Sequence, residues 1–263
     1  GYQYDAPRIL GFSNTHISGA GIPELGDVLL MPNGARPWTT ASRRFDSGYA
    51  KASEVARPGY YAVRLEERAV TVELTATERV ALQRYTYARG GRVQVLVDLQ
   101  HRLHFQPGPR VSAADYTMAA DGLRATVHSS NWVERQASVA LRFDRPIADW
   151  QALPAGEGEK APRLLLSFDL GDARTLEARV ALSTVDAAGA AANLATADEL
   201  DFDTAVQQAA AAWNALLARI AIDAPAAQRR IFYSALYRSL MHPSQIADVD
   251  GRVRGPKGEV IQA

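Results

Sequence analysis

The stretch Gly11-Phe12-Ser13-Asn14-Thr15-His16-Ile17-Ser18-Gly19-Ala20-Gly21 is the densest run of hydrogen-bonding groups in the chain. Three glycines, two serines, an asparagine and a histidine fall within eleven residues. Glycines let a backbone approach a ligand closely, and a neutral imidazole can donate to and accept from sugar hydroxyls. The plainer alternative is a loop whose polar groups satisfy one another beneath a sandwich. Its glycine spacing matches neither standard nucleotide fingerprint, so a phosphate cradle is a weak reading.

Asp248-Val249-Asp250-Gly251 is a second candidate. Two carboxylates around a glycine turn can grip hydroxyls or help hold a divalent ion. The third ligand position and the downstream bidentate glutamate of a calcium loop are absent, and a solvated acidic turn is the plainer reading. Asp98, His101 and His104 offer metal-ligand chemistry, but positions 101 and 104 would face opposite sides of a continuing strand. A hydrogen-bonded strand-end histidine is therefore expected there. No serine sits in a Gly-x-Ser-x-Gly elbow, and Ser18 has a single flanking glycine. A carboxylate pair for glycosyl chemistry cannot be chosen from sequence, because its separation is a three-dimensional quantity.

The elements that must position these groups divide sharply. From about residue 60 to 185 the apolar period is two: Tyr61, Val63 and Leu65 alternate with Ala62, Arg64 and Glu66, and Val70, Val72 and Leu74 with Thr71, Glu73 and Thr75. That pattern specifies half-buried strands. Gly90-Gly91 suits a hairpin turn, and Val93 to Leu99 is apolar enough to be central. Further strands are expected at Leu123–Ser129, Gln136–Phe143, Arg163–Asp169 and Thr175–Ser183, with Asp121-Gly122 and Gly171-Asp172 between them. The expected fold is mainly β, an antiparallel β-sandwich.

After residue 186 the texture changes. Ala187 to Ala197 reads as a connector. Asp203 can cap a helix whose stripe is Val206, Ala210, Trp213, Leu217 and Ile220. A second helix is expected from near Pro225, carrying Ile231, Phe232, Ala235, Leu236 and Leu240 and stopped by Pro243. Strands followed by helices suggest separate domains. No solenoid-length repeat is present.

Composition narrows the class. The 263 residues are 47% hydrophobic, which excludes disordered and collagen-like chains. Basic and acidic residues balance at 29 each, so neither nucleic acid nor an anionic membrane is the expected partner. No apolar run approaches the roughly 18 residues of a membrane span. There is no cysteine, so disulfides and thiolate metal sites are excluded. The chain opens at Gly1 with nothing resembling a signal peptide, and a fragment of a longer protein is the expected reading.

Read together, the motifs resemble glycoside hydrolase family 92. They are Gly11-Phe-Ser-Asn-Thr-His-Ile-Ser-Gly19, Leu25-Gly-Asp-Val-Leu-Leu-Met-Pro32, Tyr60-Tyr-Ala-Val with Glu73-Leu-Thr-Ala-Thr-Glu-Arg79, Leu96-Val-Asp-Leu-Gln-His101, and Ile231-Phe-Tyr-Ser-Ala-Leu-Tyr237 running to Asp248-Val-Asp-Gly-Arg252. Their collinearity over nearly the whole chain is more specific than any one motif. The resemblance implies a calcium-dependent, inverting, exo-acting α-mannosidase of α-1,2 type that trims mannose from N-glycans or mannans and is secreted or periplasmic. It implies a β-sandwich over 1–186, a helical linker over 187–224, and over 225–263 the first helix of a truncated (α/α)6 barrel. The catalytic acid and base, and most Ca2+ ligands, are then expected outside this chain, leaving it inactive alone. The same resemblance nominates His16, Ser18, Gly19, Asp248 and Asp250 as groups reaching mannose, with Asn14 standing where many relatives carry a second histidine. The competing readings are a non-catalytic carbohydrate-binding sandwich and an interaction domain whose helical tail docks a partner.

Overall fold

The computed structural model describes residues 3–17, 25–103, 108–131, 133–242 and 244–263. The chain opens with β1 (Arg8–Ile9), β2 (Leu29–Asn33) and β3 (Ser47–Gly48). Then come β4 (Val55–Arg57), β5 (Tyr60–Leu65), β6 (Val70–Ala76) and β7 (Val80–Tyr87). They are followed by β8 (Arg92–Asp98), β9 (Val111–Met118), β10 (Gly122–Ser130) and β11 (Glu134–Phe143). The run closes with β12 (Asp149–Ala152), β13 (Arg163–Asp169) and β14 (Thr175–Ser183).

Two antiparallel sheets form the sandwich, and β1 pairs with β3 in a separate two-stranded one. The larger has the order β4-β5-β6-β7-β14-β11-β10-β9 and the smaller β12-β13-β8-β2. Their inner faces share one core: Val63, Val72, Tyr85, Leu141 and Val180 from the large sheet meet Leu30, Val95, Leu164 and Phe168 from the small one. The Phe143 and Phe168 rings, 4.6 Å apart, join the two layers. The period of two is visible in burial: Val63 and Leu65 are inside while Arg64 is exposed. β8 lies between β13 and β2, the central position its apolar content predicts.

Ala187 to Ala197 departs from the connector expected of it. α1 (Ala187–Ala195) is a helix, with the Asp186 side chain accepting from the Gly189 backbone N–H. Alanine-rich sequence propagates a helix readily, and this one packs Ala190 and Leu194 on the outer face of the large sheet. α2 (Phe202–Leu217) is capped by Asp201, not Asp203, and Phe202 and Ala205 join the same outer cluster. Asp203 occupies the first turn and pairs with Arg84 at 3.0 Å. The helix stops before Ile220, which is exposed.

α3 (Ala226–Ser239) begins after Pro225, as its sequence predicts, and ends four residues ahead of Pro243, which lies outside the described residues. Tyr237 stacks on Trp213 with centroids 4.6 Å apart, anchoring α3 to α2, and Ile231 is 72% exposed. A last hairpin pairs β15 (Arg252–Arg254) with β16 (Val260–Gln262). No described helix is long and apolar enough to cross a membrane.

Candidate functional site

Residues 12–15 run antiparallel to 26–30. Phe12 exchanges backbone bonds with Leu30, Asn14 N–H donates to the Asp27 carbonyl, and Gly26 N–H donates to the Thr15 carbonyl. The turn into this pairing is strained. Leu25, Gly26 and Val28 all have positive φ, at 69°, 81° and 50°. A β-branched residue there is costly, and such strain persists only where surrounding contacts over-determine it. At Gly26 a Cβ would run into Leu103, so both φ and space demand glycine.

The contact that holds this turn is ionic. Asp27 is fully buried, and Arg135 donates to both its oxygens, Nη1 to Oδ1 at 2.9 Å and Nη2 to Oδ2 at 2.7 Å. Arg102 Nε lies 3.2 Å from Oδ1, and the Thr15 hydroxyl donates to Oδ2. Burial alone would raise the Asp27 pKa, but the Arg102 and Arg135 charges reverse this and hold it below the ordinary carboxyl value. Asn14 Nδ2 donates to the Val28 carbonyl and its Oδ1 accepts from Gln83. His101 Nδ1 donates to the Gly26 carbonyl at 2.7 Å, so this strand-end histidine fastens the same turn. Asp98 caps that strand end by accepting from the Gln100 and His101 backbone N–H groups, and burial raises its pKa.

His16 sits at the tip of this pairing. Its Nε2 lies 3.0 Å from the Ser13 carbonyl and 3.1 Å from the Ser13 hydroxyl. A carbonyl only accepts, so Nε2 carries the hydrogen and Nδ1 offers a lone pair. The residue reaches solvent, yet its ring is crowded. Desolvation lowers its pKa, against an opposing contribution from the Ser13 backbone contact. Ser18, Gly19 and His104 lie outside the described residues.

The two carboxylates nominated at 248 and 250 have separate surroundings. Asp248 is 1% exposed; Ser183 Oγ donates to its Oδ2 at 2.7 Å and Asn193 Nδ2 to its Oδ1 at 2.8 Å. Asn193 Oδ1 in turn accepts from Val249 N–H. As placed, Asp248 fastens this segment to β14 and α1 and presents no oxygen to a ligand. Asp250 faces solvent and accepts from the Arg252 backbone N–H at 3.0 Å and its Nε at 2.7 Å, contacts that lower its pKa.

Between these parts runs a groove of about 240 Å³. Its walls include Asn14, Thr15, Arg79, Arg135 and the 245–247 segment, and Arg79 Nε donates to the Ala247 carbonyl across it. At just under the roughly 300–1,000 Å³ of drug-sized sites, it has room for one small polar ligand. Arg135 gives the groove a cation already oriented by Asp27. Asp27 and Arg135 were not singled out from sequence, although a carboxylate inside Gly26-Asp27-Val28-Leu29-Leu30 is a signal, since buried charges are paired.

Residues 1–183 match the model of the glycosyl hydrolase family 92 N-terminal domain, and residues 189–262 that of the family 92 catalytic domain. The chain belongs to glycoside hydrolase family 92. Among solved structures, it resembles a family 92 α-mannosidase of Bacteroides thetaiotaomicron in complex with mannoimidazole, with 26% identity and a TM-score of 0.89 over 100% of this chain and 37% of that one. A second structure of the same α-mannosidase matches equally, with 38% of its length covered. A family 92 inverting mannosidase of Bacteroides thetaiotaomicron VPI-5482 shares the fold at 20% identity and a TM-score of 0.84, over 99% of this chain and 36% of that one. No curated protein matches. This family 92 chain thus spans a little over a third of the length of its structural relatives.

Proposed function

We propose that this chain is the sandwich, linker and opening catalytic segment of an inverting exo-α-mannosidase acting on mannose-containing glycans, N-glycans or mannans, with α-1,2 linkages its preferred substrate. The observation that carries this reading is the succession, on one polypeptide, of the family's N-terminal domain and the start of its catalytic domain. In this reading the domains divide at 186 and 224, and α3 is the first helix of an (α/α)6 barrel. The groove between Asn14-Thr15 and 245–247 is the sandwich's share of the sugar pocket. His16, through its Nδ1 lone pair, and the ionised Asp250 flank in sequence the segments that line this groove and accept from sugar hydroxyls, Ser18 and Gly19 belong to the same sugar-binding set, and Asp248 supports the 245–247 segment from behind.

Inversion requires one carboxyl to protonate the departing oxygen and another to activate water, about 6.5–9.5 Å apart. Asp250, whose pKa is lowered, is unsuited to the acid role, and we assign both catalytic carboxyls to residues beyond these 263. Calcium and an exported location belong to the same reading, on family grounds. Among the described residues no three His, Asp or Glu side chains converge to hold a metal ion, so no step is derived through calcium here. The test compares this chain with one extended to the length of its relatives, using an aryl α-mannoside with calcium present. Turnover by the extended chain alone is expected. Hydrolysis by the 263 residues would refute the assignment of the acid and base, and glycan binding without hydrolysis by both would leave a binding module.

A further inference from the structure

A second cleft, of about 760 Å³, opens between the β4–β5 turn and one face of α3. Arg57, Arg229, Arg230 and Arg238 line it, together with Tyr233 and Tyr237. No Asp or Glu is among its lining residues, and among the described residues none of the four guanidinium groups has an ion-pair partner. Composition does not explain this, because the chain as a whole carries equal numbers of acids and bases.

The arrangement is unfavourable as it stands. Four like charges on one cleft repel, and Arg229 stands in a first helical turn that has no acidic residue and no side-chain cap, where positive charge opposes the helix dipole. An oxyanion would reverse the sign of each of these interactions, since the guanidinium fork matches phosphate and sulfate geometry. Two tyrosines give the cleft an aromatic side. Tyr237 is braced by Trp213, and Tyr233 donates its hydroxyl to the Ile220 carbonyl at 3.1 Å, which fixes both rings. Arg57 stacks on the Tyr60 ring at 4.7 Å, so its fork is already oriented. Such rings present an apolar face with a polar edge, suited to an amphipathic ring carrying an anionic substituent.

We propose that this cleft binds a phosphate or sulfate ester carried on a saccharide. The saccharide half rests on the glycan-directed function proposed above; the anion half rests on the arginines alone. Titration calorimetry of this chain, and of one extended to the length of its relatives, with inorganic phosphate, mannose 6-phosphate and mannose separates the two, with backbone amide shifts in the shorter chain locating the site; binding lost on extension overturns the proposal. Saturable binding of mannose 6-phosphate is expected, tighter than inorganic phosphate, with shifts at Ala56, Arg57 and 226–238 and no binding of mannose there. Arg57→Ala and Arg229→Ala should each weaken it about tenfold, the loss of one charge-assisted contact. Exposed as they are, neither should change the thermal midpoint appreciably. Absence of saturable anion binding, or affinity unchanged in both variants, overturns the proposal. Equal affinity for phosphate and mannose 6-phosphate overturns its saccharide half. Because no readout depends on hydrolysis, failure here is distinct from failure of the mannosidase reading.

Discussion

Arg135 grips Asp27 with both terminal nitrogens across 108 residues of sequence, tying the end of β11 to the turn that enters β2. The carboxylate is fully buried and has no solvent to fall back on, while Arg135 keeps one side toward the groove. It fixes the position of a guanidinium in the groove wall and over-determines the strained Leu25–Val28 turn at once.

Asp27→Asn should therefore be severe. It leaves Arg102 buried and Arg135 half-buried beside a neutral amide, and removing one member of a buried pair costs about 3–5 kcal/mol. Urea unfolding of the variant against the parent measures it; a change under about 1 kcal/mol would show that the pair is not buried as described.

The same pair sets a pH dependence. Asp27 has a folded pKa below its unfolded one, so its contribution is complete above the unfolded carboxyl value of about 3.9 and is lost as pH falls through the lower folded value. The stability gap between parent and Asp27→Asn should be constant from neutral pH to about pH 5 and narrow below pH 4. A gap that widens on acidification would reverse the sign assigned here.

Gly189→Ala tests the Asp248 anchor. In an exposed helix interior alanine is favoured over glycine by about 1 kcal/mol. Here a Cβ would overlap the Asp248 carboxylate and crowd Ser183 Oγ, both buried. The substitution should destabilise by about 1–3 kcal/mol, as overpacking does. Thermal unfolding that shows a gain would mean the Asp248 segment does not lie against α1.

In a chain extended to the length of its relatives, His16→Ala and Asp250→Ala should each lower kcat/KM for an α-mannoside at least tenfold, through lost contacts to hydroxyls. Arg92→Ala, which removes only the exposed pair with Asp149, should leave kinetics and stability unchanged. Parent-like kinetics in both site variants would remove these residues from the pocket.

The strands were legible because their period and their turns agree. β13 and β14 run over the residues their alternation predicts, and β10 and β11 begin one and two residues earlier than predicted. α1 was obscured by Gly189 and Asn193, which weaken helix propensity. Their reason is tertiary: one makes room for Asp248 and the other binds it. Asp201 and Asp203 are both acceptable caps locally; Asp201 takes the role by accepting from the Thr204 N–H, while Asp203 pairs with Arg84. The polar loop carrying His16 was visible from composition. Its anchorage by Arg135 was not, because a pairing over 108 residues leaves no local pattern, and the buried fate of Asp248 depends on Ser183 and Asn193 in the same way.

The small groove is bounded on one side by Asn14, Thr15 and Arg135 and on the other by Gln245 to Ala247. Any guest lodged there would touch the strand layer and the stretch beyond the helices together, acting as a clasp. Its binding free energy would then oppose their parting, so a saturating sugar should raise the melting point of the seam by mass action, and a gap opened at that seam should cost affinity in equal measure.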